Sequence, residues 1–306
     1  MFSVKDKIQH QKIKVSIITI NFNQTKVTCE LLESLRKITY KNVEIIVVDN
    51  NSESDPQLIQ TNYPKIKLIK SNTNLGYAGG NNLGLKDATG EFIIFINNDV
   101  EVDANFIQPL LEVCANSINV GAASPKIKYF ENKNIIQYAG TQPVNPYTLR
   151  NKHIGSGNFD NGQHNEVQIT AYAHGACMMV SKLVIDHIGE MDEQFFLYYE
   201  EQDWCERMNR FGYKNYFVPR SQIYHKESIS TGKNSPLKTY YITRNRILFA
   251  RKNFPTIKLL FSCLYLLFIS IPKNTIELIK NKKHLSAYYK GIVWNLTHKS
   301  IKHENI

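Results

Sequence analysis

A polar triplet, Asn97-Asn98-Asp99, directly follows the apolar run Phe92-Ile93-Ile94-Phe95-Ile96. Such a run is typical of a strand that is covered on both faces in a parallel α/β sheet. Open α/β sheets bind their ligands at the carboxyl ends of the strands. One carboxylate flanked by amides can hold a hard divalent cation through its oxygens. The alternative is a polar turn that only closes a core strand, and the triplet taken alone favours that alternative.

A second acidic cluster, Glu200-Glu201-Gln202-Asp203, follows the aromatic run Phe195 to Tyr199 and is predicted to begin a helix that ends at Gly212. Acids in the first turn of a helix have a structural explanation in the helix dipole, and Asp203 can pair with Arg207 four residues later. Carboxylates beside apolar aromatic groups are also where a general base is tuned, since desolvation raises the pKa of an acid. Both explanations stay open on these residues alone.

Three further stretches carry polar groups of interest. The loop from Asn72 to Asn82 is rich in glycine and amides and opens a short helix, so its backbone can approach an anionic ligand closely. His225 follows a short predicted strand; it is either an ordinary core or surface histidine or a ligand to a metal at Asp99. Arg244 and Arg246 lie on a predicted amphipathic helix, as a solvated face or as a clamp for a diphosphate.

The elements that must position these residues alternate between strand and helix. Strands are predicted at Val15 to Ile20, Val43 to Val48 and Ile66 to Ile69, and the stretches between them have apolar residues at helical spacing. This alternation is typical of a doubly wound, mostly parallel sheet. Later segments are predicted as a helix from 103 to 116, strands at 120–127, 176–180, 216–219 and 223–225, a helix that begins after the N-cap Ser181, and a long loop or small hairpin region at 129–166.

Composition limits the class of protein. The chain has 306 residues, 42% of them hydrophobic, with 17 Tyr and 15 Phe, which excludes a disordered chain. Five scattered cysteines indicate reduced thiols rather than a disulfide framework or a zinc site. The opening Met1 to Lys14 is too polar for a secretory signal, and the apolar run from Leu259 to Ile271, which Pro272 closes, is shorter than the ~20 residues of a spanning helix. We therefore expect a cytoplasmic protein, soluble or peripheral at the inner face of the cell membrane.

Taken together, these stretches resemble the family 2 glycosyltransferases of GT-A fold, in particular bacterial rhamnosyltransferase-like members. The resemblance covers roughly residues 13 to 254 and rests on seven segments that occur in the order of the family. These are Val15-Ser16-Ile17-Ile18-Thr19-Ile20-Asn21-Phe22-Asn23, Val47-Val48-Asp49-Asn50-Asn51-Ser52, Asn74-Leu75-Gly76-Tyr77-Ala78-Gly79-Gly80-Asn81, Asn97-Asn98-Asp99, Gly175-Ala176-Cys177-Met178, Glu200-Glu201-Gln202-Asp203 and Tyr241 through Asn245.

The resemblance implies a role for each of these segments. Asp49 would bind the nucleotide base, and Asp99 and His225 would hold a Mg²⁺ or Mn²⁺ ion under the diphosphate of a sugar nucleotide. Glu201 falls at the position of the catalytic base, with Asp203 as the second acid. The remaining residues assigned to the nucleotide sugar are Thr19, Asn21, Asn51, Asn74, Gly76, Asn81, Asn97 and Arg244.

Two positions depart from the family pattern: Asn97 stands where the first motif acid is common, and Glu201 stands where Asp is commoner. The first change bears on ribose contact or metal affinity, and the second lengthens the reach of the base by one methylene.

The resemblance divides the chain into a GT-A domain over residues 1–254 and a basic amphipathic helical segment over 255–306. Lys and Arg far outnumber Glu277 and Glu304 in this segment, whose apolar surface beside basic charge suits an anionic membrane face. The alternative is a hydrophobic helix that packs on the domain.

The expected activity is inverting transfer of a sugar from a nucleotide-diphosphate donor to a saccharide or lipid-linked acceptor in cell-surface polysaccharide synthesis, with no role for nucleic acid. Two alternatives keep the fold: a nucleotidyltransferase, which would prefer a basic glycine-rich loop after the first strand, and a non-catalytic carbohydrate-binding relative.

Overall fold

The structure is a computed structural model that describes residues 13–226 and 234–299. The expectation about Met1 to Lys14 therefore concerns residues that lie almost entirely outside the described part. Glu304 also lies outside it.

The first half of the chain builds the parallel part of the sheet. Its elements are β1 (Val15–Asn21), α1 (Thr25–Leu35), β2 (Val43–Asp49), α2 (Gln57–Asn62), β3 (Lys67–Lys70), α3 (Gly76–Leu85) and β4 (Phe92–Ile96). The strands lie in the order β3-β2-β1-β4, and all three pairings are parallel. The predicted alternation of strand and helix is confirmed here. Because the strands run the same way, their polar carboxyl ends meet at one edge, where Asn21 pairs with Asp49.

The second half is mixed in direction. It contains β5 (Val100–Val102), α4 (Ile107–Ala115), β6 (Val120–Tyr129), β7 (Ile136–Tyr138), β8 (Gln168–Thr170), β9 (Cys177–Ser181), α5 (Lys182–Ile188), α6 (Glu200–Arg210) and β10 (Lys214–His225). β9 lies antiparallel between β4 and β6. β6 pairs in parallel with β10, whereas β5, β7 and β8 join antiparallel. A run of buried apolar residues looks the same in either direction, so the sequence did not show that the second half of the sheet mixes the two directions.

One of the later predictions needs correction in detail. The two short strands predicted at 216–219 and 223–225 are one strand, β10, whose register shifts between Val218 and Gln222 absorb the interruption at Pro219. The region at 129–166, predicted as a long loop or small hairpin region, agrees with the structure: β7 pairs antiparallel with β6, and a long loop follows it up to β8.

Both faces of the sheet are covered by buried apolar side chains. On one face Leu31 of α1 and Leu110 of α4 pack in the same cluster as Ile17 and Ile94 of the strands. On the other face Trp204 of α6 contacts the ring of Phe95 edge-on, with 5.4 Å between centroids. A strand covered on both faces is held in place by its neighbours, which keeps the polar residues after β4 fixed in position.

The chain ends in helices α7 (Pro236–Asn253), α8 (Thr256–Tyr265), a π-helical segment (Leu266–Ser270), α9 (Ile271–Leu278) and α10 (Lys282–Thr297). α8, the π segment and α9 join into one helix of 23 residues from Thr256 to Leu278, which we call the long apolar helix. The sequence expectation that Pro272 ends this segment is wrong. Pro272 lies inside this continuous helix, directly after the π-helical segment. Proline removes an α-helical hydrogen bond and clashes with the carbonyl four residues earlier, and the π-helical segment lies where this interruption falls.

The last helix returns to the body of the protein. In α10, a Cβ on Gly291 would lie 2.9 Å from the carbonyl oxygen of Tyr240 in α7, so only glycine permits this close approach. The side-chain amide of Asn295 donates to the carbonyl of Arg244 at 2.9 Å, and the guanidinium of Arg251 donates to Asn295 at 3.1 Å. The segment 255–306 thus contains an exposed helix and, in α10, a helix packed on α7.

Candidate active site

A cavity of about 480 Å³ opens at the carboxyl ends of β1 and β4. The loop before α6, the end of β10 and the first turns of α7 form its other walls. Among the residues that resemblance assigned to the site, its lining includes Asn74, Gly76, Asn97, Asp99, Glu201 and His225. Side chains that are more than one hundred positions apart in the sequence therefore meet in one place.

The carboxylate of Asp99 and the imidazole of His225 form a pair inside this cavity. Asp99 Oδ1 lies 3.1 Å from His225 Nε2, and both side chains are almost fully buried. The other ring nitrogen, Nδ1, lies 2.8 Å from Gln137 Oε1. An amide oxygen only accepts, so Nδ1 carries a proton, and in the neutral imidazole Nε2 then presents a lone pair to the carboxylate. Two acceptors that face each other in this way fit a cation between or beside them.

The pair suits a Mg²⁺ or Mn²⁺ ion that completes its coordination with groups from outside the protein. Within the described ranges, no group of three or more His, Cys, Asp or Glu side chains is arranged to hold a metal. Magnesium is commonly bound through one or two carboxylates together with substrate phosphates and water, because it dehydrates reluctantly. The donor set here therefore fits an ion shared with a diphosphate better than an ion in an all-protein cage.

A chain of hydrogen bonds links the triplet after β4 to the end of β2. Asn98 Nδ2 donates to Thr28 Oγ1 at 3.0 Å, and Thr28 Oγ1 donates to Asn21 Oδ1 at 2.8 Å. Asn21 Nδ2 in turn donates to Asp49 Oδ1 at 2.7 Å. Asn98 thus positions the triplet, and Asn21 and Asp49 form buried support at the same sheet edge.

The resemblance expected Asn21 and Asp49 to touch a nucleotide directly. Asp49 also accepts from the hydroxyl and the backbone N–H of Ser52, which occupies both of its oxygens. The cavity wall beside it is formed by Asn50, whose amide donates to Asn74 Oδ1 and to the Gly76 carbonyl.

Gly76 in the glycine-rich loop allows a close approach of the loop that contains Phe196. Gly76 has φ +71°, and a Cβ on it would lie 2.2 Å from the carbonyl oxygen of Phe196. That carbonyl accepts from the backbone N–H of Tyr77 at 2.5 Å. Glycine is required at 76 because the turn that leads to the acidic cluster passes directly over it.

The two neighbouring glutamates differ in burial. Glu200 is 4% exposed, whereas Glu201 is partly buried beside Gly175, where a Cβ on the glycine would lie 3.6 Å from the Glu201 carboxyl carbon. Burial raises the pKa of Glu201 above its ordinary value. Burial, and then the nearby charge of Glu201, raise the pKa of Glu200 well above its ordinary value. Two acids crowded in this way favour a state in which one of them is protonated.

Asp203 and Arg244 lie outside the cavity lining. Asp203 is fully buried; one oxygen pairs with Arg207 at 3.1 Å and the other accepts from Asn253 at 2.8 Å. Arg244 donates to the carbonyls of Gln194 and Phe195 at 2.5 and 2.6 Å. Both charges are engaged within the protein, so the roles that the resemblance implies for them stay predictions that the cavity lining does not support.

Three other expected residues are also set back from the cavity. Thr19 is fully buried in β1, and Asn81 is buried in α3 with its amide on the Tyr77 carbonyl at 3.1 Å. Asn51 is exposed at φ +64°, in the turn after β2. These residues shape the sheet edge and its loops, whereas Asn74 and Asn97 reach the cavity itself.

Sequence reasoning missed several residues of the cavity. Gln137, on β7, orients His225, and the Tyr77 hydroxyl donates to the Gly175 carbonyl at 2.5 Å. His153, His174 and Lys238 also line the cavity. Gln137 and His153 fall in the stretch without periodicity, where only the clustering of His and polar residues gave a signal. The sequence signal for Tyr77 was its place as the one aromatic residue in the glycine-rich loop from Asn72 to Asn82.

The sequence profile described as glycosyl transferase family 2 matches residues 16–189, which is more than half of the chain. The protein belongs to glycosyl transferase family 2, and it is a glycosyltransferase.

Three curated relatives have similar sequences. The low-salt glycan biosynthesis hexosyltransferase Agl10 of Haloferax volcanii is 29% identical over 76% of this chain and 74% of its own length. The dTDP-rhamnosyl transferase RfbF of Shigella flexneri is 28% identical over 84% and 89%. The N-acetylglucosaminyl-diphospho-decaprenol L-rhamnosyltransferase of Mycobacterium tuberculosis is 25% identical over 66% and 73%.

Solved structures share the fold. Residues 1–349 of S. aureus TarS in complex with UDP-GlcNAc superpose with a TM-score of 0.58 at 18% identity, over 92% of this chain and 81% of that one. The mannosyltransferase PcManGT of Pyrobaculum calidifontis, in complex with GDP-Man and Mn²⁺, gives 0.57 at 13% identity, over 93% and 87%. These likenesses confirm the GT-A fold.

Proposed function

We propose that this glycosyltransferase transfers a sugar from a nucleotide-diphosphate donor to a saccharide or lipid-linked acceptor, with inversion at the anomeric carbon. The single observation that carries the proposal is the meeting of the Asp99–His225 pair and the Glu200–Glu201 pair in one cavity. The Asp99–His225 pair suits the diphosphate end of a donor. The Glu200–Glu201 pair suits proton removal from an acceptor hydroxyl.

In the proposed reaction, Glu201 is the general base. Inversion needs a single in-line displacement, so the acceptor hydroxyl loses its proton as its oxygen attacks the anomeric carbon. The new bond joins that oxygen to the sugar, the bond from the sugar to the diphosphate breaks, and the proton passes to the Glu201 carboxylate. Burial that raises the pKa of Glu201 makes its carboxylate a stronger base once it is ionised.

Asp99 and His225 would hold a divalent cation at the donor diphosphate. When bound, the ion supplies Lewis-acid stabilisation of the negative charge on the leaving diphosphate. Gln137 fixes the proton on His225 Nδ1, and the hydrogen bond from Asn98 to Thr28 holds the triplet in place. Arg244 is engaged with main-chain carbonyls, whereas Lys238 lines the same cavity.

The relatives support this choice of substrates. They include a dTDP-rhamnosyl transferase and an N-acetylglucosaminyl-diphospho-decaprenol L-rhamnosyltransferase, whose names describe substrates of the proposed kinds. We therefore extend to this chain a role in the synthesis of a cell-surface polysaccharide or glycan.

The proposal is tested by nucleoside diphosphate release from a panel of dTDP-rhamnose, UDP-N-acetylglucosamine and GDP-mannose, with Mn²⁺, in the presence and absence of an acceptor extract. Release that requires both one panel member and the acceptor supports sugar transfer. Release of pyrophosphate from a nucleoside triphosphate would instead support a nucleotidyltransferase. Binding without any release would support a non-catalytic relative.

We further propose that the long apolar helix docks on an anionic membrane surface. Its exposed side chains include Leu260, Leu264, Leu267, Phe268 and Ile269; Lys258 and Lys273 lie on the helix, and Lys280 follows its end. The helix is long and apolar enough to cross a membrane, judged by length and composition alone. Apolar area beside basic charge is also what a helix in the headgroup region presents.

Contacts with the rest of the chain favour a helix that lies on the surface over one that spans. The hydroxyl of Ser262 donates to the Pro146 carbonyl, and near the other end Asn274 donates to the hydroxyl of Tyr288 in α10. α10 in turn contacts α7, since Nδ1 of His284 in α10 lies 2.8 Å from Oγ1 of Thr239 in α7. A helix anchored to the domain at both ends cannot leave it to cross a bilayer unless these contacts break.

A further inference from the structure

The carboxyl group of Glu200 is the most unusual polar group of the cavity. It lines the cavity next to Glu201, and its side chain is 4% exposed. Within residues 13–226 and 234–299, its buried Oε2 has no hydrogen-bond partner. Leaving a buried polar atom unpaired costs about 1–3 kcal/mol, so such an atom facing a ligand cavity indicates a partner that comes from the ligand.

The backbone before Glu200 is held so that this side chain enters the cavity. Tyr198 and Tyr199 have φ of +69° and +75°, a left-handed conformation that is costly for residues other than glycine. The side-chain amide of Asn245 donates to the carbonyls of Phe195, Leu197 and Tyr198 at 2.7–2.8 Å and fixes the turn. α6 then begins at Glu200 itself. Strained backbone held by a buried amide is a common feature of sites that position a functional side chain.

We propose that Glu200 is a substrate-binding residue that donates a hydrogen bond from its neutral carboxyl group to a sugar hydroxyl in the cavity, leaving Glu201 as the ionised member of the pair. This proposal rests on the proposed function and adds the group that orients the sugar. The hydroxyl belongs either to the donor sugar or to the acceptor.

The groups around Glu200 support the neutral form. Glu201 follows on the same helix, Tyr77 of α3 faces both glutamates, and Arg244 of α7 is the nearby cation. The guanidinium of Arg244 is directed to main-chain carbonyls, and its attraction is a smaller influence on the pKa of Glu200 than burial and the charge of Glu201, which raise that pKa. Two adjacent buried carboxylates relieve their repulsion by keeping one proton, and the more buried acid keeps it.

The first test compares Glu200→Gln with Glu200→Ala in the full chain, using the panel member that supports turnover. An amide keeps a donor of similar size, so we expect kcat/KM to fall about threefold for Gln and about thirtyfold for Ala. The acid limb of the pH–rate profile should stay in place in the Gln variant, because a neutral Glu200 exerts no charge on Glu201. A Gln variant as impaired as Ala, or an acid limb that moves down by about one pH unit, would show that Glu200 acts as a carboxylate and overturn the proposal.

Affinity separates the two possible hydroxyls. If the hydroxyl is on the donor sugar, Glu200→Ala weakens binding of the nucleotide sugar in calorimetry and leaves binding of the bare nucleoside diphosphate unchanged. If it is on the acceptor, donor affinity is unchanged and the KM for the acceptor rises. Both results support a sugar hydroxyl as the partner. Equal weakening of nucleotide sugar and nucleoside diphosphate would contradict it.

The neutral form can be tested without any turnover, which keeps its failure distinct from failure of the proposed function. A carboxyl whose pKa is raised in the folded protein keeps its proton while the unfolded chain releases it, so it lowers stability as pH rises above the unfolded value. Glu200→Gln should therefore raise Tm by a few degrees more at pH 8 than at pH 5. An equal effect at both pH values would overturn the neutral form even if sugar transfer is observed. A larger effect at pH 8 in a protein that turns over no nucleotide sugar would reject the proposed function alone.

Discussion

The two acidic regions of the cavity place the same kind of side chain in opposite surroundings. Asp99, at the end of a core strand, faces an imidazole whose proton is fixed on its far nitrogen. Glu200 and Glu201, at the start of a helix, face each other, and burial raises the pKa of both. A carboxylate beside a neutral metal ligand suits a cation, whereas crowded carboxylates suit proton exchange. In the proposed reaction, environment rather than residue type therefore assigns the donor diphosphate to the first region and proton removal to the second.

The largest effect should come from breaking the first region. Asp99→Ala, or EDTA added to the wild-type protein, should reduce nucleoside diphosphate release by about 10³-fold, because the charge of the leaving diphosphate loses several kcal/mol of stabilisation. Circular dichroism and Tm show whether the variant still folds. Asp103→Ala, at an exposed acid four positions later, is the matched control and should behave as wild type. Full turnover in EDTA would show that sugar transfer does not require a divalent cation.

In the second region, the Glu200–Glu201 pair, replacing Glu201 should slow the transfer step. Glu201→Gln should keep donor affinity and lose about 10²-fold in kcat, the size expected for a missing general base. Glu206→Gln is the control on the same helix, since burial raises the pKa of Glu206 as well but its carboxylate accepts from Tyr172 instead of lining the cavity. Near-normal turnover in the Glu201 variant would reject Glu201 as the base.

The long apolar helix offers a comparison outside the cavity. Replacing both Leu267 and Phe268 with Ser should reduce sedimentation with anionic vesicles about tenfold, because exposed apolar area no longer enters the headgroup region. Ile118→Ser, at an exposed apolar residue away from this helix, should leave sedimentation unchanged.

Salt and alkaline carbonate then distinguish the kinds of attachment. Release of the protein by either treatment agrees with a helix on the surface, since exposed lysine–lipid attraction is screened. Resistance to both would indicate a spanning helix.

The smallest expected effect is a shift in pH dependence. Because burial raises the pKa of Glu201, the base is protonated at higher pH than an exposed glutamate would be. Turnover should therefore fall as pH decreases, with a midpoint above the ordinary glutamate value of about 4.3. An acid limb at or below that value would contradict a buried base.

Several parts of this site could be predicted from sequence because local pattern dictates them. The apolar run before Asn97 predicted a core strand that delivers Asp99 to the sheet edge, and the aromatic run before Glu200 predicted acids in an apolar setting. Polar residues at the ends of neighbouring strands meet whenever the strands are parallel, which holds for β1, β2 and β4.

Other parts depend on tertiary contacts that leave no local pattern. Nothing near Arg244 shows that its guanidinium closes a turn about fifty residues earlier, and nothing near Gln137 shows that it orients His225. The direction of β9 is equally hidden, because a strand buried on both faces has no preferred orientation in its sequence. The prediction that Pro272 ends the helix was wrong for a related reason, since a helix can continue past a proline that follows a π-helical segment.

The most direct measurement of the central claim is the anomeric configuration of the product, read by NMR from the coupling of the anomeric proton. One displacement with Glu201 as base predicts the configuration opposite to that of the donor sugar, with no covalent sugar–enzyme intermediate. Retention of the donor configuration would contradict the account, because it requires two displacements or a different arrangement of the reacting groups.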